Sequence, residues 1–272
     1  MNLPAGVIAY DYKIPVKGVS KKILYHISDI HLNHSDDPAA PQQPLTYETW
    51  VQGWPGFSKV HNEPYDLAQM KFPEEHLNCL LELANQGDAI VMTGDICDKV
   101  SHTNLQILDE ALGKVDKPWL AVCGNHDLAQ DIPDGYLYSR IKAPVQILDL
   151  GDLILFGLDN AQRQVTSVQT EALRQVMEQG KPVIVAMHLP IMTDDNRDIL
   201  INCGDYFRLN HPEATEETLA FIDCIKENPG KIVAVLAGHL HFHIESQVAP
   251  GIPQFVNSQS VLGNINRYEI GE

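Results

Sequence analysis

Five short apolar runs of this 272-residue chain are each followed by side chains that carry oxygen or imidazole donors. The donors that could bind a metal are two carboxylates, one amide and four imidazoles: Asp29, His31, Asp95, Asn125, His188, His239 and His241. Mixed nitrogen and oxygen ligation suits Mn, Fe, Zn, Co or Ni, and the set is too rich in nitrogen for a Ca or Mg site. Seven donors exceed the four protein ligands of a typical structural zinc. We therefore expect two metal ions that share one carboxylate.

Such a pair of metals has a defined chemistry. Two divalent ions with two carboxylates and a bridging hydroxide leave a local charge of about +1, which attracts a phosphate group. Metals about 3.5–4 Å apart can clamp phosphoryl oxygens, generate hydroxide near neutral pH and stabilise an in-line displacement. The donor set therefore predicts hydrolysis of a phosphoric ester.

The apolar runs that must position these donors are typical of buried β-strands. They cover residues 22–28, 89–93, 119–123, 183–187 and 232–237, and each is apolar on both faces. Amphipathic helices are predicted between them, over residues 73–86, 103–112, 166–179 and 215–228. This alternation predicts βαβ units, whose strands end along one edge of a parallel sheet, where ligands bind. Gly94, Gly124 and Gly238 precede the donors at three of these ends and permit sharp turns there.

Two regions break the alternation of strands and helices. Residues 145–150 and 153–158 are joined by Gly151-Asp152 and predict a hairpin. Residues 244–248 and 254–257 predict two further strands with no helix between them. Consecutive strands favour a second, more antiparallel sheet. We therefore predict one α/β domain over residues 1–272, with two packed mixed β-sheets flanked by helices in an α/β/β/α sandwich.

Residues 33–72 have the least regular pattern. The segment holds five prolines together with Trp50, Trp54 and Phe57. Long irregular loops in compact domains are usually functional or disordered, and the aromatic residues argue against disorder. We interpret the segment as a cap or insertion loop. Its aromatic residues either contact the leaving group of a substrate or pack on one another over a sheet edge.

Composition limits the partners and the compartment. Lys plus Arg is 19 and Asp plus Glu is 36, so the formal net charge is −17. An acidic surface repels nucleic acid and anionic membranes, and no apolar stretch approaches the ~18 residues of a membrane span. The five cysteines form no C-x-x-C pair, and residues 1–17 do not resemble a signal peptide. We expect a cytoplasmic protein with reduced thiols and a small phosphorylated substrate, and the oligomeric state stays open.

The motifs D-x-H, G-D-x-x-D, G-N-H-D, an isolated His after a strand and G-H-x-H follow one another between Asp29 and His241. Each motif alone is a weak signal, but the ordered set resembles the calcineurin-like metallophosphoesterase superfamily. The resemblance implies the sandwich fold of that family and a dinuclear centre. It implies two ligand sets: Asp29, His31 and His241 for the first metal, Asn125, His188 and His239 for the second, with Asp95 as the bridge.

The resemblance also implies roles for two further residues. His126 would give a proton to the leaving group or stabilise the transferring phosphoryl group, and Asp98 would orient His126. Members that dephosphorylate proteins tend to have Arg-Gly after the second Asp of G-D-x-x-D, where this chain has Lys99-Val100. They also tend to have Glu at the end of the G-N-H motif, where this chain has Asp127. These departures resemble the branch that acts on small phosphodiesters or nucleotides.

We therefore predict a metal-dependent phosphoesterase that uses a metal-bound hydroxide and prefers a small phosphodiester or nucleotide-type substrate. The alternatives are a phosphomonoesterase for nucleotides or small metabolites, a nuclease, and an interaction module without activity. Arg197 either meets a phosphate or pairs with its acidic neighbours. The histidines outside the motifs are expected at the surface: His34, His61, His76, His102 and His211.

Overall fold

The computed structural model describes residues 6–39 and 73–272. The strands of these residues are β1 (Ile8–Ile14), β2 (Lys22–Ile27), β3 (Ala89–Met92), β4 (Trp119–Ala121), β5 (Val145–Asp149), β6 (Ile154–Leu158), β7 (Val183–Ala186), β8 (Ile232–Ala237), β9 (Ile244–Ala249), β10 (Ile252–Val256) and β11 (Asn264–Ile270). The helices are α1 (Pro73–Ala84), α2 (His102–Leu112), α3 (Ser167–Met177), α4 (Arg197–Cys203) and α5 (Glu216–Lys226). Every strand and helix expected from the sequence is present, with ends that differ by at most a few residues.

The strands form two mixed sheets. The first has the order β1-β11-β2-β3-β4, and β11 is antiparallel to β2 while the other pairs are parallel. The second has the order β5-β6-β7-β8-β10-β9, with parallel pairs in the middle and an antiparallel pair at each edge. The hairpin of β5 and β6 is confirmed. The second sheet is antiparallel only at its edges, because β6, β7, β8 and β10 run in the same direction.

The two sheets pack face to face and bury alternate side chains of each strand between them. Leu24, Val91 and Leu120 of the first sheet share one buried cluster with Leu155 and Ile184 of the second. Because successive strand residues point to opposite faces, the remaining side chains point outward toward the helices.

The outer faces of both sheets are covered by helices. Ile90 of the first sheet lies in one core cluster with Leu80 of α1 and Leu108 of α2. In the second sheet, a separate cluster joins the strands to α3 and α5 through such residues as Val185 and Phe221. Strands that are buried on both faces must be apolar on both faces, which explains the runs in the sequence. The predicted α/β/β/α sandwich is confirmed.

β1 and β11 were not expected from the sequence. They pair with each other, and β11 lies between β1 and β2 in the first sheet. Their sequences, IAYDYKI and NINRYEI, alternate polar and apolar residues and are partly exposed on one side. Alternating strands such as these do not form a continuous apolar run, which is why the criterion of two apolar faces misses them.

Four expectations outside the core have different outcomes. His76 and His211 are buried rather than at the surface, and His76 hydrogen-bonds the backbone oxygen of Val261 at 2.6 Å. All five cysteines lie in the described ranges and are free thiols. Among the described helices, none has the length and apolar character needed to cross a membrane. The cap proposed for residues 33–72 falls mainly on 40–72, which lie outside the described residues, as do Trp50, Trp54, Phe57 and His61.

Candidate metal centre

The donors predicted from the sequence meet where the ends of the two sheets come together. β2, β3 and β4 belong to the first sheet, and β7 and β8 belong to the second. The ends are tied by backbone hydrogen bonds, from Asp29 N to Gly94 O at 3.1 Å and from Gly238 N to His188 O at 3.0 Å. The Asp29 carboxylate also accepts the backbone N–H of His239, which joins the two sheets. The site is therefore shared by both sheets and not carried on one edge.

Four of the donors form a first ligand group. The candidate ligand atoms of Asp29, His31, Asp95 and His241 all lie within 4.8 Å of one another. Nε2 of His31 is 3.1 Å from Nε2 of His241, and the latter is 3.2 Å from Asp29 Oδ1. Asp29 and His31 are almost completely buried. One cation at this point would contact two nitrogens and one or two carboxylates.

A second ligand group lies on the other side of Asp95. The candidate ligand atoms of Asp95, His188 and His239 also lie within 4.8 Å of one another. Nε2 of His188 is 3.2 Å from Asp95 Oδ2, 3.0 Å from Asn125 Oδ1 and 3.1 Å from His239 Nδ1. Asp95 therefore belongs to both groups, which is the position expected of a bridging carboxylate.

The histidine rings are held so that nitrogen lone pairs point into the site. Nδ1 of His188 lies 2.7 Å from the backbone oxygen of Thr93, and a carbonyl can only accept, so Nδ1 must carry the proton. Nε2 of His188 is then unprotonated in the neutral ring. Nδ1 of His31 is held in the same way by Asp98 Oδ1 at 3.1 Å. Neutral rings that face each other with lone pairs at 3.1 Å repel unless a cation or proton lies between them, so the donor set fits a metal.

The backbone at these donors is strained. Six non-glycine residues of the described chain have positive φ, and one of them, Arg163, lies outside the ligand groups. The other five are the ligands Asp29, His31, Asp95, His239 and His241, with φ between 52° and 71°. Left-handed conformations cost free energy for residues with a Cβ and are concentrated at functional sites. The strain turns each side chain back toward the strand ends.

Glycines allow the carboxylates to approach the backbone closely. A Cβ at Gly124 would overlap Asp95 Oδ1, and a Cβ at Gly238 would overlap Ser28 Oγ and lie 2.7 Å from Asp29 Oδ2. Ser28 Oγ donates to the same Asp29 oxygen at 2.5 Å. These two positions therefore require glycine because the ligands occupy the space that a side chain would take.

Charge is distributed unevenly over the site. Burial alone would raise the pKa of Asp29, but hydrogen bonding and the charge of His241 lower it to about 2. Burial would lower the pKa of His188, but the charge and hydrogen bond of Asp95 raise it to about 9. Burial and the positive charge of His188 lower the pKa of His239 to about 3. Without metal, the site therefore keeps its carboxylates ionised and holds a proton on His188.

His126 lies beside the first ligand group. Its ring meets that of His31 edge-on, with centroids 4.9 Å apart, and its backbone N–H donates to Asp95 Oδ1 at 2.8 Å. Nδ1 of His126 is 3.0 Å from the backbone oxygen of Asp98 and 3.4 Å from its Oδ1. Asp98 thus holds the rings of both His31 and His126, and the shorter contact to His126 is made by its backbone. The catalytic roles of His126 and Asp98 stay predictions.

Asp127 has a role that the sequence did not reveal. Its buried carboxylate accepts the backbone N–H groups of Asp95, Ile96 and Gly124, the last at 2.7 Å, together with the hydroxyl of Tyr138. A weaker contact to the N–H of Cys97 is 3.3 Å long. Asp127 therefore fixes the loop that presents the bridging carboxylate. The sequence places Asp127 in the G-N-H-D motif but does not show which backbone groups its carboxylate binds.

Asn160 is a second supporting residue that was missed. Its Oδ1 accepts the backbone N–H groups of His188 and Leu189 at 2.9 and 3.1 Å. Asn160 follows the end of β6, and β6 is parallel to β7. Polar residues at the ends of parallel strands are candidates for a site, and Asn160 meets this criterion because β6 is parallel to β7. The hairpin pattern of β5 and β6 does not reveal that parallel pairing.

One family model and several solved structures are similar to this chain. The family model described as calcineurin-like phosphoesterase matches residues 23–243. A dimetal phosphatase from Danio rerio is 12% identical with a TM-score of 0.57, over 91% of this chain and 88% of that chain. A purple acid phosphatase from yellow lupin is 13% identical with a TM-score of 0.49, over 92% of this chain and 45% of its own. Phosphopantetheinyl hydrolase from Mycobacterium tuberculosis is 13% identical with a TM-score of 0.42, over 88% and 90%. Comparison with curated protein sequences gives no match.

Proposed function

This chain belongs to the calcineurin-like phosphoesterase family, and from that membership we propose that it hydrolyses a small phosphodiester or nucleotide-type substrate at a dinuclear metal centre. The observation that carries the proposal is the position of Asp95, which is shared by two groups of candidate ligands. A single ion would not need donors on both sides of this carboxylate. Two ions that share a carboxylate are the arrangement used to clamp a phosphoryl group.

The residues fit the two metals implied by the family. The first would be held by Asp29, His31 and His241, the second by Asn125, His188 and His239, and both by Asp95. When bound, the metals would supply positive charge for the phosphoryl oxygens and a water acidic enough to act near neutral pH. The mixture of imidazoles with carboxylate and amide oxygens is compatible with Mn, Fe, Zn, Co or Ni.

The chain itself supplies the proton for the leaving group. Nδ1–H of His126 is held by the backbone oxygen of Asp98, which makes Nε2 the ring nitrogen proposed to transfer the proton. A half-buried imidazole at that place can donate a proton to a departing ester oxygen. The carboxylate of Asp98, 3.4 Å away, can stabilise the positive charge of the ring before the transfer.

The preference for a diester rests on the residues around the motifs. Lys99-Val100 follows Asp98, and Asp127 ends the G-N-H motif, which resembles the branch that acts on small diesters or nucleotides. The net charge of −17 argues against a nucleic-acid substrate, because long-range repulsion must be overcome at every phosphate. We therefore propose a small phosphorylated molecule as the partner.

A comparison of two chromogenic esters tests the proposal. Metal-stripped protein receives Mn, Zn, Fe, Co or Ni, and hydrolysis of bis(p-nitrophenyl) phosphate is compared with that of p-nitrophenyl phosphate. We expect hydrolysis only with metal and a larger kcat/KM for the diester. Asp95→Asn should abolish it, whereas Asp149→Asn, an exposed carboxylate paired with Lys181, should not. A preference for the monoester would identify a phosphomonoesterase, and no hydrolysis with any bound metal would contradict the proposed function.

A further inference from the structure

Among the arginines, Arg163 has neither a carboxylate partner nor a backbone-oxygen partner for its side chain within the described residues. Four of the six arginines form ion pairs: Arg174, Arg197, Arg208 and Arg267. Arg140 lies over the ring of Trp119 and donates to its backbone oxygen. Within residues 6–39 and 73–272, no carboxylate oxygen lies within 4.0 Å of the Arg163 guanidinium, and its buried Nε has no hydrogen-bond partner. In a chain with 36 acidic and 19 basic residues, a guanidinium without a described carboxylate partner is a candidate site for an anion from outside the described chain.

The backbone that presents Arg163 is strained and firmly held. Its φ is 66°, which makes it the one positive-φ residue outside the ligand groups among the non-glycine residues described. The backbone N–H of Arg163 donates to Asn160 O at 2.8 Å, and its oxygen lies 3.2 Å from Nε2 of the buried His211. Asn160 is also the residue that holds the backbone of His188. One turn after β6 thus supports a metal ligand and presents this arginine.

Tyr206 links Arg163 to the second ligand group. The guanidinium carbon lies 5.4 Å from the centroid of the Tyr206 ring, and that ring lies 5.5 Å from the ring of His239. Among the described residues, Tyr206 is 48% exposed. Burial and the charge of Asp95 raise the pKa of Tyr206, whereas the charge of Arg163 lowers it. Arg163 therefore contacts Tyr206, and Tyr206 contacts the candidate metal ligand His239.

The two halves of the site offer different groups to a substrate. His126 contacts His31 of the first ligand group, and Tyr206 contacts His239 of the second. If a phosphoryl group is bound between the two ligand groups, its leaving oxygen would face His126. In a diester, the ester group that stays on phosphorus would then extend toward Arg163, across the second ligand group.

We propose that Arg163 and Tyr206 form a second subsite that binds an additional anionic group of the substrate, either a phosphoryl group or a carboxylate. The planar guanidinium can donate two parallel hydrogen bonds to such an anion, and the Tyr206 ring lies against the guanidinium. This inference rests on the proposed function, since it assumes that a phosphoryl group occupies the metal centre. It narrows the substrate to an organic phosphate that carries a second anion.

Calorimetric binding to the Mn-loaded protein tests the subsite without relying on turnover. The probes are phosphodiesters: a thymidine dinucleotide with against without a 5′-phosphate, and glycerophosphoserine against glycerophosphoethanolamine. We expect at least one probe that carries the additional anionic group to bind about tenfold or more tightly than its partner without that group, as for a charge-assisted bidentate contact. A preference in the first pair alone identifies a phosphoryl group, and a preference in the second identifies a carboxylate.

Variants separate the subsite from general effects. Arg163→Gln should remove the preference, Arg163→Lys should restore part of it, and Tyr206→Leu should weaken it. Arg197→Gln serves as the matched control, because Arg197 pairs with Asp194 at 2.6 Å, and it should keep the full preference. Equal affinities within both pairs in the unmodified protein, or a preference that survives Arg163→Gln, would overturn the inference. A preference without hydrolysis of any phosphoester would instead refute the proposed function and leave the subsite standing.

Discussion

Replacement of Asp127 by Asn should destabilise the protein strongly, although the two side chains have nearly the same shape. Oδ1 of Asp127 accepts the backbone N–H groups of Asp95 and Gly124, and Oδ2 accepts those of Ile96 and Cys97. An Asn side chain has one oxygen and one NH₂ group. Whichever way the amide is turned, two backbone donors lose their acceptor and face another donor.

The magnitude follows from these contacts. The Asp127 side chain is completely buried, so water does not replace the lost acceptor. A buried donor without a partner costs about 1–3 kcal/mol, so two of them should reduce the free energy of unfolding by about 2–6 kcal/mol. The same loop carries the candidate bridge Asp95, so metal affinity should fall by about 10–100-fold, as for other residues that support a ligand.

Urea unfolding of the metal-free protein and calorimetric titration with Mn²⁺ measure the two effects. Asp149→Asn is the matched control, because this exposed carboxylate pairs with Lys181 and exposed pairs contribute about 1 kcal/mol or less. The contrary result is that Asp127→Asn loses no more unfolding free energy than the control and keeps its metal affinity. That result would refute the role of Asp127 in holding the loop of Asp95.

Three further perturbations follow from the site. His126→Ala should keep both metals but lower kcat by about 10²–10⁴-fold, because it removes the proton donor, as steady-state kinetics with metal analysis would measure. Metal binding at pH 7.5 should release a proton from His188, whose pKa of about 9 keeps it protonated in the metal-free protein; calorimetry in buffers of different ionisation enthalpy would detect it. Apparent metal affinity should therefore rise with pH up to about 9 and then level off. Gly238→Ala should weaken the first metal, because the added Cβ would displace Asp29.

A specific result would contradict each of these three predictions. Loss of metal from His126→Ala would place that residue among the ligands instead of beside them. An absence of proton release at pH 7.5 would mean that the ring of His188 is neutral before metal binds. Gly113→Ala is the control for Gly238→Ala, since Gly113 ends a helix away from the site and a Cβ there would lie 3.0 Å from Asp109 O. Equal metal affinity of the two variants would contradict the crowding at Gly238.

The parts of the fold that could be predicted are those set by local pattern. The strands β2, β3, β7 and β8 are buried on both faces, so each is a continuous apolar run, and the residue after each run lies at the site. β1 and β11 could not be found in this way, because their partners come from opposite ends of the chain and one side of each is partly exposed. α4 has seven residues and its Asn196 makes no capping hydrogen bond, so the sequence carries no clear start signal for it.

The supporting residues of the site could not be predicted because tertiary contacts determine them. Asp127 and Asn160 accept backbone N–H groups that are distant in sequence, about 30 residues away for Ile96 and 28 for His188. Arg163 stands out only once the partners of the other arginines are known. The sequence offered two interpretations of Arg197, a phosphate ligand or an ion pair, and the structure places it against Asp194.

The most direct test of a dinuclear centre bridged by Asp95 is a manganese titration of metal-free protein that follows bound metal and ester hydrolysis together. We expect two Mn²⁺ per chain, hydrolysis that rises with occupancy of the second ion, and loss of the second ion in Asp95→Asn. Full activity with one ion per chain, or hydrolysis that persists without metal, would contradict a dinuclear centre bridged by Asp95.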